Sequence, residues 1–361
     1  MIESQRRLPL ALIVGGLVTF VAVYAMMGKA PTGQPATAQA STLPSFAILP
    51  DVIPRMAIAY GVGGRDESAG INELAWEGVK RAADTFGAEI KEIAAKPGDT
   101  DADREKHLTE LADAGYYPIF AIGSTYAAPV AKVAPKYPGH WFGLVDDDTV
   151  DAPNVIVIEF HVEQGSFLVG AAAALTSKTD NVGFIGAVQS PLLQTYEAGF
   201  TAGAKAASPD VRVQVAYLSQ PPDDDGFSDP AKARQIALGM YDSGADVIFA
   251  AASDSGNGVV QAAHDRRLWA IGVDTDQYMR SDPSIRGAIL TSMLKHADVV
   301  TYKIAMEVAN GVPKDGTNVF GLDQGGVGYA TSGGFVDPIM AQLDAFAVRI
   351  GRGEVLVPTK P

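Results

Sequence analysis

From Arg55 to the C-terminus, short apolar or β-branched runs alternate with stretches whose apolar residues recur at helical spacing. This alternation is typical of parallel sheets whose strands are joined by crossover helices. The predicted strands cover 56–62, 88–94, 117–123, 141–146, 155–160, 182–187, 211–218, 247–252, 269–274 and 288–294. Ten strands are many for one doubly wound sheet in a chain of this size. The pattern therefore predicts two α/β lobes of about five strands each, with a ligand site in the cleft between them.

The N-terminal segment predicts entry into a membrane. Two arginines precede an uncharged run from Leu8 to Gly28, which at about 1.5 Å per residue is long enough to cross a hydrocarbon layer of about 30 Å. The charge distribution favours export of everything after this run. We predict an anchor or signal segment over 1–29 and an extended Pro/Thr/Ala-rich tether over 30–54. We favour an uncleaved N-terminal transmembrane helix over a cleaved signal peptide, which stays the alternative. The remainder is expected outside the cytoplasm, in the periplasm or at the cell surface.

Composition excludes several functional classes. The net charge of −14 leaves no broad basic surface for nucleic acid. The chain has no Cys, which excludes disulfides, zinc thiolates and a lipid carried on cysteine. It has no His pair at i, i+4, no G-x-S-x-G elbow, and Asp66 stands where a dinucleotide fingerprint needs its last Gly. We therefore expect no metal, no cofactor and no catalytic residues.

Polar residues collect where the predicted strands end. They are Asp146, Ser253, Asp254, Asp274 and Lys295, with Asp66 in the loop after the first strand. Carboxylates accept hydrogen bonds from hydroxyl groups and Lys donates them, so such a rim suits a neutral polyhydroxylated ligand. Asp274 and Lys295 could instead form a structural ion pair, and Trp76 on the first predicted helix could be a core residue.

Many segments of the chain stand in the order of one known family. They are Gly63-Gly64-Arg65, Asn72–Gly78, Glu163–Gly170, Val182–Gly186, Glu197–Phe200, Ala202–Lys205, Gly244–Phe249, Ile271–Gln277 and Leu290–Lys295. With them the chain resembles the basic membrane protein family, whose best understood members are purine nucleoside receptors of ABC transporters. The resemblance covers nearly everything from Met56 onward.

The resemblance implies a type I periplasmic-binding-protein fold, in which two doubly wound parallel-sheet lobes are joined by three crossovers and close around a ligand. It suggests one lobe from 55–158 plus 275–310 and another from 159–274 plus 311–361. The expected partners are a small-molecule ligand, with a purine nucleoside as the first candidate, and an ABC permease in the membrane.

The resemblance also implies roles for individual residues. The two aromatic side chains that sandwich the purine correspond to Trp76 and Phe227, and the carboxylate and lysine that bind the ribose correspond to Asp274 and Lys295. Other pocket positions align with, or close to, Asp66, Asn72, Asp146 and Ser253.

Two departures from the family pattern affect the expected ligand. The loop before Asn72 is one residue longer, so Asp66, Glu67 and Ser68 are alternative pocket residues. Asp254 adds a carboxylate near the cleft, which disfavours an anionic ligand. We expect an extracytoplasmic solute-binding protein of an ABC importer. The alternatives are a membrane-anchored sensor that uses the same fold for signalling and, third, a nucleoside-processing enzyme.

Overall fold

A computed structural model describes residues 55–61, 64–65, 70–96, 98–223 and 225–361. The predicted anchor over 1–29 and the tether over 30–54 lie outside these residues, and so does the segment that contains Asp66, Glu67 and Ser68. Within the described ranges, no helix combines the length and apolar character needed to cross a membrane.

The first of two six-stranded sheets is parallel throughout. Its strands lie in the order β11-β5-β4-β3-β1-β2. They are β1 (Arg55–Tyr60), β2 (Glu89–Ala94), β3 (Ile119–Ile122), β4 (Phe142–Val145), β5 (Val155–Phe160) and β11 (Gly316–Phe320).

The second sheet has the order β12-β10-β9-β8-β6-β7 and is parallel except for the antiparallel pair β10 and β12. Its strands are β6 (Asn181–Val188), β7 (Arg212–Ser219), β8 (Val247–Ala251), β9 (Trp269–Gly272), β10 (Ile289–Lys295) and β12 (Val327–Tyr329).

Helices cover both faces of each sheet. They are α1 (Ile71–Phe86), α2 (Asp101–Asp113), α3 (Ala127–Val133), α4 (Val162–Thr176), α5 (Pro191–Ala207), α6 (Pro230–Asp242), α7 (Gly256–Arg266), α8 (Gln277–Arg280), α9 (Ala297–Ala309) and α10 (Met340–Gly351). Along β1, Ile58 and its alternate neighbours pack with α1, whereas Ala57 and Ala59 pack with α2 and α3. In β6, Phe184 packs with α4 and α5 while Ile185 packs with α6 and α7. Burial on both faces explains why the strands are apolar almost throughout.

The ten predicted strands are all present, each within two residues of its predicted ends. Strands β11 and β12 were not predicted. β11 is an edge strand whose exposed and partly buried residues alternate, and β12 has only three residues. Neither carries the apolar run that marks a buried strand.

The chain passes between the two sheets three times: after β5, after β10 and after β11. The predicted boundaries assigned β10 to the first lobe, with 275–310, and β11 to the second lobe, with 311–361. The sheet order reverses both assignments: β10 belongs to the second sheet and β11 to the first. Helix α9, which follows β10, packs against α1 of the first sheet. The second passage therefore lies near residue 296.

The three crossings are joined to one another by backbone hydrogen bonds. The N–H of His161, just after β5, donates to the carbonyl of Phe320 at 3.0 Å. The N–H of His296, just after β10, donates to the carbonyl of Gly326 at 2.8 Å. Because Phe320 and Gly326 bracket the third crossing, each of its ends is held by one of the other two.

Helices α4 and α5 approach until their backbones touch, and this requires glycine at the contact. A methyl group on Gly170 would overlap the carbonyl of Phe200, and one on Gly203 would overlap the carbonyl of Phe167. The small residues of the segments 163–170 and 199–203 are therefore explained by packing against one face of the second sheet.

Candidate functional site

Three strand ends hold a non-glycine residue in the left-handed backbone region. Asp146 follows β4, Ser253 follows β8 and Asp274 lies two residues beyond β9, with φ values of 64°, 48° and 65°. This conformation costs about 1–3 kcal/mol and is often found where a side chain is held for binding. All three are predicted site residues.

Lys295 connects the two sheets through a buried ion pair. It is the last residue of β10 and only 3% exposed. Its Nζ donates to both carboxylate oxygens of Asp146, at 2.8 and 2.6 Å, and lies 5.0 Å from the centre of the Phe160 ring. Since Asp146 follows a strand of the first sheet, the side chain spans the two lobes close to the first crossing. Burial alone would lower the pKa of Lys295, but the carboxylates of Asp146 and Asp274 outweigh it and the pKa is raised.

Asp274 is the second carboxylate near Lys295. Tyr196 of α5 donates its hydroxyl to the Asp274 carboxylate at 3.4 Å. Burial raises the pKa of Asp274, while the Lys295 ammonium opposes the shift and the Asp146 carboxylate adds to it. The structure thus brings Asp146, Asp274 and Lys295 together, and Lys295 forms its ion pair with Asp146 rather than with Asp274.

Glu159 also belongs to the group formed by Asp146, Asp274 and Lys295, and it was not predicted from the sequence. It lies in β5, which pairs with β4, the strand that precedes Asp146. The N–H of Asp146 donates to the carbonyl of Ile158, the residue before Glu159, at 3.0 Å. Burial raises the pKa of Glu159 to about 7, with repulsion from Asp146 adding and attraction to Lys295 opposing. One signal could have revealed it: the sequence VIVIEF places a single acid in an otherwise apolar buried strand.

Glu159 is expected to make stability fall as pH rises through the neutral range. Its pKa is about 7 in the folded protein against 4.5 for a free side chain, so between these values the folded state binds more protons and deprotonation favours unfolding. Glu159→Gln should remove up to about 3 kcal/mol of this pH dependence between pH 4.5 and 8. Urea unfolding at several pH values measures it. Exposed Glu110→Gln is the control and should keep the wild-type slope; an unchanged slope in Glu159→Gln would contradict the assignment.

Phe227 projects from a turn beside the carboxyl ends of the second sheet. The turn Asp225–Phe227 follows β7, and the ring is 38% exposed. Ser253 and Asp254 form the neighbouring turn after β8, and burial raises the pKa of the Asp254 carboxyl. The two turns are linked by Ser255, whose hydroxyl donates to the carbonyl of Gly226. Together they supply a partly exposed aromatic ring and a carboxylate acceptor at the same end of the second sheet.

Asn72 is buried at the start of α1. Its side-chain amide donates to the carbonyl of Gly64 at 2.8 Å and so holds the end of the loop that contains Asp66. Nearby, Glu73 of α1 pairs with Arg280 of α8, which makes a second ion pair between elements of the two sheets.

Trp76 is partly buried, packs against the core and lines a groove along α1. The guanidinium carbon of Arg65 lies 4.5 Å from the centre of its ring, and Trp76 lines an open groove of about 460 Å³ with Lys80, Asp84 and other residues of α1. Within the described residues, the ring and polar contacts do not connect Trp76 to Lys295 and its carboxylates. Its role in stacking a ligand stays a prediction.

The described residues contain no group of three or more His, Asp or Glu side chains arranged to hold a metal ion.

Comparison with known proteins identifies the family of this chain. Residues 57–360 match the model of the PnrA-like ABC transporter substrate-binding proteins. The chain belongs to this family. The resemblance to basic membrane proteins is thereby confirmed, since a chain named basic membrane protein A from Borreliella burgdorferi is 28% identical over 85% of this chain and 88% of its own length.

Two further similarities are to proteins described as ABC transporter components. The ABC transporter nucleoside-binding protein BmpA of Lactococcus lactis is 32% identical over 74% of this chain and 78% of its own length. A solute-binding protein of an ABC transporter system from Conexibacter woesei superposes with a TM-score of 0.70 at 23% identity, over 84% of this chain and 99% of its own. The latter shows the shared solute-binding-protein fold.

Proposed function

We propose that this chain is the extracytoplasmic solute-binding protein of an ABC importer and closes its two lobes on a purine nucleoside or a similar small polar ligand, which it presents to a membrane permease. The observation that carries the proposal is the ion pair between Lys295 of β10 and Asp146 after β4. It brings polar groups of both sheets to the carboxyl ends of the strands, where ligands of such sheets bind.

Each group of the site has a task in this proposal. The carboxylates of Asp146 and Asp274 accept hydrogen bonds from ribose hydroxyls, and the Lys295 ammonium donates to the hydroxyl oxygens. Phe227 offers its exposed ring to one face of the base, for which stacking contributes about 1–3 kcal/mol if values from nucleic-acid complexes transfer. Ser253 and Asp254 are proposed polar contacts from the neighbouring turn. Trp76, Asn72 and Asp66 are retained as proposed contributors from the first lobe.

Charge selects the ligand class. Lys295 faces three acids, Asp146, Asp274 and Glu159, and Asp254 adds another in the turn after β8. An anionic ligand would meet uncompensated negative charge in a poorly solvated place. A neutral nucleoside avoids this repulsion, and nothing in the group supplies an activated nucleophile for its hydrolysis. The nucleoside-binding name of the Lactococcus relative supports the same ligand class.

Calorimetric titration of the full-length chain in detergent with inosine, hypoxanthine, ribose and AMP tests the proposal. We expect saturable inosine binding without release of hypoxanthine, and at least tenfold weaker binding of AMP. Asp274→Asn should lose about 1.5–3 kcal/mol of inosine binding, because a charged acceptor becomes neutral. Asp242→Asn, an exposed carboxylate paired with Arg266, is the matched control and should bind normally. Failure to bind any nucleoside, or turnover of inosine, would refute the proposal.

A further inference from the structure

The turn that carries Phe227 is fixed by a buried hydroxyl from a different loop. Ser255 has no exposed surface. Its Oγ donates to the carbonyl of Gly226 at 2.7 Å and accepts the N–H of Asp229, also at 2.7 Å. One side chain therefore holds the backbone on both sides of Phe227.

A second buried hydroxyl holds the same turn from β7. Ser219 Oγ accepts the N–H of Gly226 at 3.3 Å and donates to the carbonyl of Asp223 at 2.8 Å. Gly226 itself lies against β6, where a methyl group would overlap the carbonyl of Ala187. Both polar backbone groups of Gly226 are thus satisfied by serine side chains, and its position leaves no room for movement toward the sheet.

Phe227 keeps 38% of its surface exposed, although the backbone on both sides of it is held by two buried serines. A partly exposed aromatic side chain contributes less to the core than a buried one, so this support suits a ring that is held for binding. Ser255 also lies in the turn that contains Ser253 and Asp254, so its hydroxyl couples the two loops that carry three predicted ligand contacts. Preorganisation of this kind lowers the entropy lost on binding.

We propose that Ser255, supported by Ser219, is a positioning residue that holds the Phe227 ring ready for a planar aromatic ring of the ligand. The inference rests on the proposed nucleoside-binding function. It assigns to Ser255 a contribution to recognition of the base and none to recognition of the sugar, because its contacts are confined to the turn that bears Phe227 and to the start of α6.

Affinities for inosine and ribose in the full-length chain separate positioning from general damage. Ser255→Ala should weaken inosine binding about tenfold, as expected for loss of buried hydrogen bonds that hold a binding group, and leave ribose binding unchanged. In a Phe227→Ala background the same substitution should have no further effect on inosine. Ser228→Ala, an exposed serine of the same loop, is the matched control and should behave as wild type. Equal losses for inosine and ribose, or additive losses with Phe227→Ala, would overturn the proposal.

Amide hydrogen exchange of the ligand-free chain distinguishes failure of this inference from failure of the proposed function. Ser255→Ala should accelerate exchange at Asp229, whose N–H donates to the Ser255 hydroxyl, by at least tenfold while β8 keeps its protection. If Ser255→Ala does not fold, Ser255→Cys replaces it, since a thiol fills the site and hydrogen bonds only weakly. Wild-type chain that binds no nucleoside would refute the function, whereas unchanged exchange at Asp229 would refute the role of Ser255 whatever the ligand.

Discussion

Lys295→Met is expected to lower the free energy of unfolding by about 3 kcal/mol at pH 8 and to reduce nucleoside affinity at least a hundredfold. The Lys295 and Asp146 side chains are 4% and 22% exposed, so the substitution leaves several carboxylates close together without their cation. Their mutual repulsion is relieved only by protonation. Burial raises the pKa of both Asp274 and Glu159, so these carboxylates take up protons as the pH falls. The stability deficit should therefore shrink as the pH falls toward 5, because protonated carboxyls no longer repel one another.

Urea unfolding at pH 5 and pH 8, with calorimetric titration of inosine, measures both effects. Lys132→Met is the matched control: Lys132 pairs with Glu105 at the surface, with 59% of its side chain exposed, and such pairs contribute about 1 kcal/mol or less. A deficit in Lys295→Met that is no larger than in the control, or that does not change with pH, would show that the interlobe pair has no special importance.

Gly203→Ala is expected to cost about 3 kcal/mol or more of stability, enough to prevent folding in a marginal protein. The added methyl carbon would lie 1.9 Å from the Phe167 carbonyl oxygen, far inside van der Waals contact. Helix α5 would have to move away from α4, which would open the core of the second lobe around Phe200 and Phe184. Thermal or urea unfolding followed by circular dichroism measures the loss.

Gly239→Ala provides the opposite expectation within the same lobe. Gly239 lies in α6, and no atom is within 4 Å of the position that a methyl group would take. Alanine there should raise stability by about 0.5–1 kcal/mol, since it has the higher helix propensity. Equal effects at the two positions would mean that the contact between α4 and α5 does not explain Gly203.

The layout of the fold was predictable because burial on both faces produces a strong local signal. Strands such as β4 and β8 are runs of buried apolar residues, and the polar residues after them mark their ends. What the pattern does not record is sheet membership. The sequence of β10 resembles that of any other buried strand, and its pairing with β9 and β12 is what places it in the second sheet.

The candidate site was predictable to the same extent and for a similar reason. Asp146, Asp274 and Lys295 follow or end strands, so their convergence follows from topology once two parallel sheets are assumed. Glu159 was missed because it lies inside a strand, where an acid has no pattern of its own. The hydrogen bonds of Ser255 could not be predicted from the sequence either. They join residues of two loops that are separated by 26 and 29 positions in the chain.

The hydrogen bonds that tie the third crossing to His161 and His296 have a mechanical consequence. Three independent crossover segments would allow the two lobes to slide, tilt or twist relative to each other. Crossover segments that are hydrogen-bonded to one another act more like a single hinge. We therefore expect closure of the two lobes to be mainly a rotation about a single hinge axis. We expect ligands of different size to stop lobe closure at different angles. A partner protein that recognises the closed form would then need to distinguish only the closure angle.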